Sequence, residues 1–186
     1  MDCVLFVLSK VLVLMLPTID SWPSKDGLRI GHLNINHAKN KLSDVASVLL
    51  NSGKQFHLFG FSESHLTEDD EKDMDGYETI SRLPSAPLET GILVYVNKSV
   101  KYRRITQFES YSVESVWLEI FLKGTKSFFV GFIYQNPAEH VDWRDRFSTL
   151  MKDVLPFSED VILLGDFNID LLDPQDYGLN YINLLI

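Results

Sequence analysis

The sequence predicts an α/β protein in which helices cover β-sheets of mixed strand pairing. Segments with strand character outnumber those with helical periodicity, one pair of strands is joined by a short turn, and helices return between other strands. A short turn requires antiparallel pairing, whereas a strand–helix–strand connection is typical of parallel pairing. The 186 residues, of which 45% are hydrophobic, suffice for one domain with a sizeable core.

The first 26 residues are predicted to be an apolar leader and a linker, followed by one domain over residues 27–186. The apolar stretch Val4–Leu16 is interrupted by Ser9 and Lys10 and is shorter than the ~20 apolar residues that cross a bilayer. Asp2 stands where a signal peptide has basic residues. The pattern therefore favours a leader that docks on the domain or stays loose over a secretory signal, and an intracellular or nuclear location.

A strand, a helix and a second strand open the predicted domain. Leu28–Asn34 has the composition of a strand. Apolar residues then recur with the i, i+3, i+4, i+7, i+8 spacing of one helix face, which ends near Gly53. They are Leu42, Val45, Ala46, Leu49 and Leu50. The apolar segment Leu58–Ser62 predicts the next strand, and an acidic loop follows it.

Strands dominate the middle of the chain. Tyr77–Arg82 and Gly91–Asn97 are predicted strands on either side of a proline-bounded segment. Further on, apolar residues alternate at period two, which predicts a strand that returns through the turn 123–126 to Phe128–Tyr134 as a hairpin. The alternating residues are Val116, Leu118, Ile120 and Leu122, with Trp117, Glu119 and Phe121 between them.

A second helix precedes the last predicted strand. Pro156 ends this helix, and the apolar run Val161–Leu164 then predicts a buried strand. The apolar face of the helix consists of Phe147, Leu150, Met151, Val154 and Leu155.

Polar side chains stand at the C-terminal ends of four predicted strands. They are Asn34, Glu63, Tyr134 and the pair Asp166 and Asn168. In α/β folds such strand ends collect ligands and catalytic groups. Side by side, these carboxylates, amides and phenol would suit a hard cation with oxygen ligands such as Mg²⁺, which stabilises charge in phosphate hydrolysis.

Each of these residues also has a purely structural interpretation. Asn34 is a common turn former, Glu63 a solvated loop acid and Tyr134 a strand aromatic with a bonded hydroxyl. An Asx-turn accounts for Asp166 and Asn168 nearly as well as a shared ligand does. The occurrence of all of them in order along the chain is what favours a site.

Ordered motifs extend over residues 28–172. They are Leu33-Asn34, Ser62-Glu63-Ser64-His65-Leu66, Gly91–Val96, Glu114–Ile120, Ile133-Tyr134 and Gly165-Asp166-Phe167-Asn168. Together they resemble the endonuclease/exonuclease/phosphatase superfamily, and within it the endonuclease domain of non-LTR (LINE-type) retrotransposons. The resemblance implies a DNase I-like four-layer α/β sandwich, with two mixed β-sheets flanked by helices.

The resemblance assigns a role to each strand-end residue. It implies that Glu63 is the principal ligand of Mg²⁺, or of Mn²⁺ as an alternative ion, and that Asn34 holds the metal or the phosphate beside it. Asp166 would orient or deprotonate the attacking water, Asn168 would hold Asp166 and the scissile phosphate, and Tyr134 would contact the phosphate as charge develops. The implied reaction is in-line hydrolysis of a phosphodiester bond.

Four further residues are candidates for contact with DNA, the partner that the resemblance implies. Asn136 stands before a proline, an order that differs from the family's Pro-Asn or Pro-Pro step. Lys98, Lys101 and Arg103 belong to a basic run that could touch a nucleic-acid backbone, and a charged edge strand explains them equally. No stable protein partner and no membrane are expected.

The closing Ser-Asp-His motif of the family, with an Asp upstream of it, does not occur before Ile186. The fold is therefore expected to be incomplete at its C-terminus and to lack the last strands of the second sheet. None of the five histidines has a Ser-Asp-His context. His32 is expected within a strand, and His65 on a surface loop or, alternatively, near the site.

Composition and motifs together leave three functions. The net charge of -9 argues against capture of nucleic acid by charge alone, but it is compatible with a metal site built from carboxylates. The acids between Glu63 and Asp75 are expected to form a solvated loop rather than a second metal site, and the single cysteine, Cys3, allows no internal disulfide. The leading hypothesis is a Mg²⁺-dependent, retrotransposon-derived DNA endonuclease that nicks one strand. A phosphatase or phosphodiesterase acting on a smaller substrate and a catalytically inert remnant are the alternatives.

Overall fold

The computed structural model describes residues 4–5, 27–51, 55–109, 113–158 and 160–168, which form two β-sheets packed face to face. In spatial order the first sheet contains β1 (Val4–Leu5), β2 (Arg29–Asn34), β3 (Leu58–Ser62), β5 (Ile92–Asn97) and β4 (Tyr77–Arg82). The second contains β6 (Lys101–Arg104), β7 (Glu114–Phe121), β8 (Phe128–Tyr134) and β9 (Val161–Asp166).

Both sheets are mixed, as the sequence predicts. In the first sheet β2 runs parallel to β1 and β3, whereas β5 is antiparallel to β3 and β4. In the second sheet β7 is antiparallel to β6 and β8, and β9 is parallel to β8. The predicted hairpin is the β7–β8 pair. Each sheet thus contains one long parallel pair, β2–β3 and β8–β9, whose C-terminal ends carry polar residues.

Two helices cover the outer faces of the sheets, so that the described chain has the four layers of the expected sandwich. The first helix, α1 (Leu42–Asn51), packs on Phe59 and Phe61 of the first sheet. The second, α2 (His140–Val154), packs on Trp117 of the second sheet. Single turns of 3-10 helix lie at Thr106–Phe108, Pro137–Glu139 and Leu155–Phe157. Neither helix in these segments has the length and apolarity needed to cross a membrane.

The central core lies between the sheets and explains why their inner strands are apolar throughout. Residues on the inner faces of both sheets interdigitate there, while the alternate residues of the same strands face the helices. The inner-face residues include Ile30, Leu58, Val94, Val116, Leu118, Val130, Phe132 and Leu164.

Helix boundaries account for two errors in the predicted core. Leu155 was assigned to the apolar face of the second helix, but α2 ends at Val154 and Leu155 is 50% exposed in the following 3-10 turn. Leu50, assigned to the buried face of the first helix, is 36% exposed because α1 buries only its neighbour Leu49 at that level. Gly53, the expected helix stop, and most of the leader lie outside the described residues.

Gly165 allows β9 to approach β8 closely at the site end of the second sheet. A methyl group built on Gly165 would lie 1.9 Å from the carbonyl oxygen of Ile133, its register partner. No residue with a side chain fits that spacing without moving one of the strands. The position of the next residue, Asp166, therefore depends on a glycine.

Candidate active site

The strand-end residues of the two sheets meet in one hydrogen-bonded cluster. β2 and β3 deliver Asn34 and Glu63 from the first sheet, and β8 and β9 deliver Tyr134 and Asp166 from the second. Parallel strands end at the same edge of a sheet, and face-to-face packing brings the two edges together. The structure therefore places these four side chains in contact, although they are spread over most of the sequence.

Asn34 is the centre of this cluster. Its side-chain amide donates to Glu63 Oε1 at 2.7 Å and to Asp166 Oδ2 at 2.8 Å. Its side-chain oxygen accepts the backbone N–H of Asn36 at 3.1 Å. Because both amide protons face carboxylates, the orientation of the amide is fixed, and the two negative charges share one neutral donor.

Tyr134 completes the environment of Glu63. Its hydroxyl donates to Glu63 Oε1 at 2.8 Å. Burial, and then the bond to Glu63, raise the pKa of the Tyr134 phenol above its ordinary value. The phenol therefore stays protonated near neutral pH and remains a hydrogen-bond donor.

Asp166 is fully buried, and the turn after β9 holds its second carboxylate oxygen. The backbone N–H of Asn168 donates to Asp166 Oδ1 at 3.1 Å, which is the bond of an Asx-turn. The Asn168 side chain donates to the carbonyl of Gln135 at 2.6 Å. The Asx-turn that the sequence suggests is thus present, and it holds Asp166 in the cluster.

Backbone hydrogen bonds join the two loops that follow β2 and β3. Several residues of these loops have a left-handed backbone conformation. The N–H groups of His37 and Ala38 donate to the carbonyls of Glu63 and Ser64, each at 2.9 Å. Asn36, His37, Glu63 and His65 have φ of 44°, 67°, 53° and 50°. Residues with a Cβ are uncommon in this region, although Asn and His enter it more readily than Glu, and such residues concentrate at functional sites.

Glu114 is a buried acid at the edge of the site. The sequence analysis assigns it no individual role. It opens β7 opposite Tyr134, and its carboxylate accepts the N–H groups of Thr90 and Gly91. Burial raises the pKa of the Glu114 carboxyl to about 7, against the opposing effect of these two donors. The sequence signals for it were its place at the start of the motif Glu114–Ile120 and of the period-two alternation that follows.

The Glu114 contacts extend to Glu63 through the backbone. The carbonyls of Thr90 and Gly91 accept the N–H groups of His65 at 2.7 Å and Ser64 at 3.1 Å. Glu114 therefore holds residues 90–91, and these residues hold the turn that follows Glu63.

The structure does not bring the predicted basic residues to this cluster. Lys101 pairs with Phe121 at the far end of β7, about 23 Å from Glu114 at a rise of about 3.3 Å per residue. Lys98 follows the opposite end of β5 from Gly91. Arg103 forms an ion pair with Glu119 at 2.6 Å on the edge strand β6. Lys101 and Arg103 thus belong to a charged edge strand, as the alternative interpretation has it, and the contact of the three residues with DNA stays a prediction.

Asn136 lies at the site end of the molecule but binds a loop. Its side chain donates to the carbonyl of Leu88 at 2.7 Å and accepts the N–H of Ala138 at 2.9 Å. His65 lies beside the cluster on an exposed loop, and His32 lies buried within β2.

The donor set of the cluster fits a hard divalent cation of the Mg²⁺ type. Among the residues that the structure describes, no three His, Cys, Asp or Glu side chains form an all-protein metal cage. Mg²⁺ does not require one, since it commonly binds through one or two carboxylates, waters and the substrate phosphate. Glu63 and Asp166 supply two carboxylates that converge on a single amide nitrogen, so the residues present match that mode.

Comparison with family models gives a match over residues 31–185 to the Endonuclease/Exonuclease/phosphatase family. The chain belongs to this family. The match includes all four strand-end positions and Glu114. Members of the Endonuclease/Exonuclease/phosphatase family are hydrolases, and the two mixed sheets and flanking helices described above are the DNase I-like fold that the sequence predicts. No curated protein matches the chain significantly.

Solved structures of low sequence identity share the fold of this family member. The endonuclease domain of TRAS1, a telomere-specific non-LTR retrotransposon, superposes with a TM-score of 0.60 at 12% identity, over 86% of this chain and 69% of that one. The 3′ phosphatase NExo from Neisseria, bound to a product DNA hairpin, gives a TM-score of 0.56 at 16% identity, over 79% of this chain and 60% of that one. This chain thus corresponds to about two thirds of each of these structures.

Proposed function

We propose that this chain is a metal-dependent endonuclease domain that hydrolyses DNA phosphodiester bonds, nicks one strand and derives from a retrotransposon. One observation carries the proposal: the Asn34 amide gathers the carboxylates of Glu63 and Asp166 at one point between the sheets. Membership of the Endonuclease/Exonuclease/phosphatase family and the similarity to the TRAS1 endonuclease domain support the choice of reaction.

In this proposal Glu63 holds Mg²⁺, with Asn34 beside it. The cation would neutralise charge on the phosphate as it is attacked. Tyr134 donates a hydrogen bond to Glu63 and so fixes the carboxylate that would hold the metal. In the complex the same hydroxyl would donate to a phosphate oxygen, where a donor stabilises the transition state more than the ground state.

Asp166 is the group proposed to orient or deprotonate the attacking water. Both of its oxygens accept protein hydrogen bonds, and the residue is closed to solvent. Access for a water therefore requires Asn34 or Asn168 to exchange its bond when substrate binds. Catalytic hydrogen bonds commonly rearrange in this way between the free enzyme and its complex.

A nicking assay on supercoiled plasmid tests the proposal. We expect Mg²⁺-dependent nicking that falls by about 10²–10⁴-fold in Glu63→Ala and Asp166→Ala, as for other lost catalytic groups. Glu71→Ala is the matched control, because Glu71 is an exposed acid of the neighbouring loop. The absence of both nicking and any rise in melting temperature with Mg²⁺ would favour a catalytically inert fold and contradict the proposal.

A phosphatase acting on a smaller phosphate ester is the second candidate. The similarity to the 3′ phosphatase NExo favours it. Release of inorganic phosphate from a 3′-phosphorylated oligonucleotide, without nicking of plasmid, would select this function over the endonuclease.

A further inference from the structure

Two histidines form a stacked pair on the rim of the candidate site. The ring centroids of His37 and His65 lie 4.0 Å apart, with 15° between the ring planes. Both residues are exposed. The mechanism proposed above uses neither ring.

The protein backbone holds the pair in place. His37 donates its N–H to the carbonyl of Glu63, and His65 donates its N–H to the carbonyl of Thr90. Both residues are held in the left-handed region, at φ of 67° and 50°. The His37 ring is further fixed by a bond of 2.9 Å between its Nδ1 and Asn36 Oδ1. The rings are therefore pre-organised: His65 lies on the turn that carries Glu63, and His37 lies on the loop after β2 that is bonded to this turn.

The charges around the pair offer little attraction for a polyanion. Lys41 donates to the carbonyls of Ile35 and Asn36, and Lys39 pairs with Asp70 at 2.7 Å. Glu63 is the acid that faces the pair, and the whole chain carries a net charge of -9. A nucleic acid bound here needs a contact that does not depend on charge.

We propose that His37 and His65 form a stacking platform for an unpaired nucleobase next to the scissile phosphate. Aromatic side chains, histidine included, bind splayed-out bases through their π-faces, and such stacking tolerates any base. The inference rests on the proposed phosphodiesterase site and names its substrate class: DNA whose strand is single or locally opened beside the cleavage point.

Binding of short oligonucleotides without divalent metal tests the platform independently of cleavage. The full chain is titrated into two fluorescent strands in buffer that contains a metal chelator. One is single-stranded DNA, and the other is an abasic strand of the same length and charge. We expect the strand with bases to bind about ten- to a hundredfold more tightly, as the loss of one or two stacked bases implies. Equal affinity for the two strands overturns the platform.

Ring variants then locate the contact. His37 or His65 is replaced with Asn, which tolerates a left-handed backbone conformation. These variants therefore test the ring rather than the fold. We expect His37→Asn and His65→Asn to lose most of the preference for the strand with bases. His65→Phe should keep this preference, because Phe has a π-face although it has no titratable group. If the preference survives both Asn variants, the platform is wrong. Loss in His65→Phe, with an unchanged melting temperature, also overturns stacking.

The plasmid assay separates this inference from the proposed function. If the chain binds the strand with bases more tightly but does not nick plasmid, the proposed nuclease function is contradicted and the stacking platform is retained. Nicking by a chain that binds abasic and normal strands equally would overturn the platform and leave the nuclease.

Discussion

At the scale of single residues, the candidate site depends most on the side chain that bonds to several others. Asn34 is the clearest case, because the carboxylates of Glu63 and Asp166 both rely on its amide. Two like charges that share one buried region repel each other unless a donor or a cation stands between them. The residue that looked most like a turn former is thus the one that allows the two acids to coexist.

Tyr134→Phe is expected to weaken catalysis without unfolding the protein. It removes one donor to Glu63 and leaves the ring in place, so kcat should fall by about 10²–10³-fold, the cost of one lost donor at a developing charge. Nicking rates at saturating Mg²⁺ measure this. Tyr102→Phe is the matched control, because it breaks a hydroxyl–carboxylate bond to Glu78 away from the site. An equal loss in both variants would contradict the role of Tyr134.

Glu114→Gln is expected to change how stability depends on pH. The carboxyl pKa is raised from 4.5 to about 7 in the fold, so between these values the folded chain binds more protons than the unfolded chain. Stability therefore falls as pH rises through this window, by up to ~3 kcal/mol in total. The variant lacks this group, so its free energy of unfolding relative to the parent should rise from pH 5 to pH 7.5. Urea unfolding at both pH values measures it, and a constant difference would contradict the prediction.

Sequence reasoning identified the residues that follow strands and missed those that depend on loop contacts. Asn34 and Glu63 could be found because a strand end is visible as a change from apolar to polar residues. Glu114 and His37 could not, because their importance arises from which loop lies opposite them, and that depends on the register between segments far apart in sequence. For the same reason the sequence could not show that Lys101 and Arg103 lie away from the cluster.

At the scale of elements, β9 is the strand on which the site depends most. It is parallel to β8, lies at the edge of the described sheet and carries Asp166 as its last residue. Gly165 sets its distance from β8. The other site strands are fixed on both sides by neighbours in their sheets.

Gly165→Ala is expected to displace β9 and to disable the site. The added methyl would lie 1.9 Å from the Ile133 carbonyl oxygen, and overpacking of this kind costs about 1–3 kcal/mol or more. We expect a lower melting temperature and nicking reduced at least as strongly as in a Tyr134 variant. Gly124→Asn is the control, since nothing lies within 4 Å of a Cβ there and Asn tolerates its φ of +81°. Similar melting temperatures for the two variants would refute the argument.

Strands were predicted closely where both sides of the sheet bury them. The bounds of β3 and β8 agree with the sequence analysis because apolar runs define them, and every residue of both strands is buried. The bounds of β4 also agree, although this edge strand alternates polar and apolar residues and is only partly buried. The strand β6 was recognised only as a basic run, since its residues alternate between exposed and half-buried and none is fully apolar. Helix ends were less accurate because the 3-10 turn 155–157 continues the helical spacing while turning Leu155 outward.

At the scale of the whole molecule, acid stability should be limited by a buried histidine. His32 lies on the same face of β2 as Ile30, and burial lowers its pKa from 6.5 to about 3. Between these values the unfolded chain binds a proton that the folded chain excludes. Stability is therefore lost as pH falls from 6.5 towards 3, by up to ~5 kcal/mol. This opposes the Glu114 effect where the two windows overlap.

His32→Leu is expected to reduce this loss on acidification. The variant replaces the imidazole with an apolar side chain, so its free energy of unfolding should fall less than that of the parent between pH 7 and pH 4.5. Denaturant unfolding at the two pH values measures the difference. His57→Leu is a useful comparison, because His57 is only half-buried. An unchanged pH dependence in His32→Leu would show that other groups set the acid limit.

The bond between Asn34 and Asp166 has a consequence for the time course of folding. The two residues are 132 positions apart, and the bond forms only when the edges of both sheets have met. Contacts between distant segments form late, because loop closure opposes them until much of the chain is ordered. During refolding, secondary structure should therefore return before nicking activity does. The lag between the two signals would measure how long the sheets take to dock.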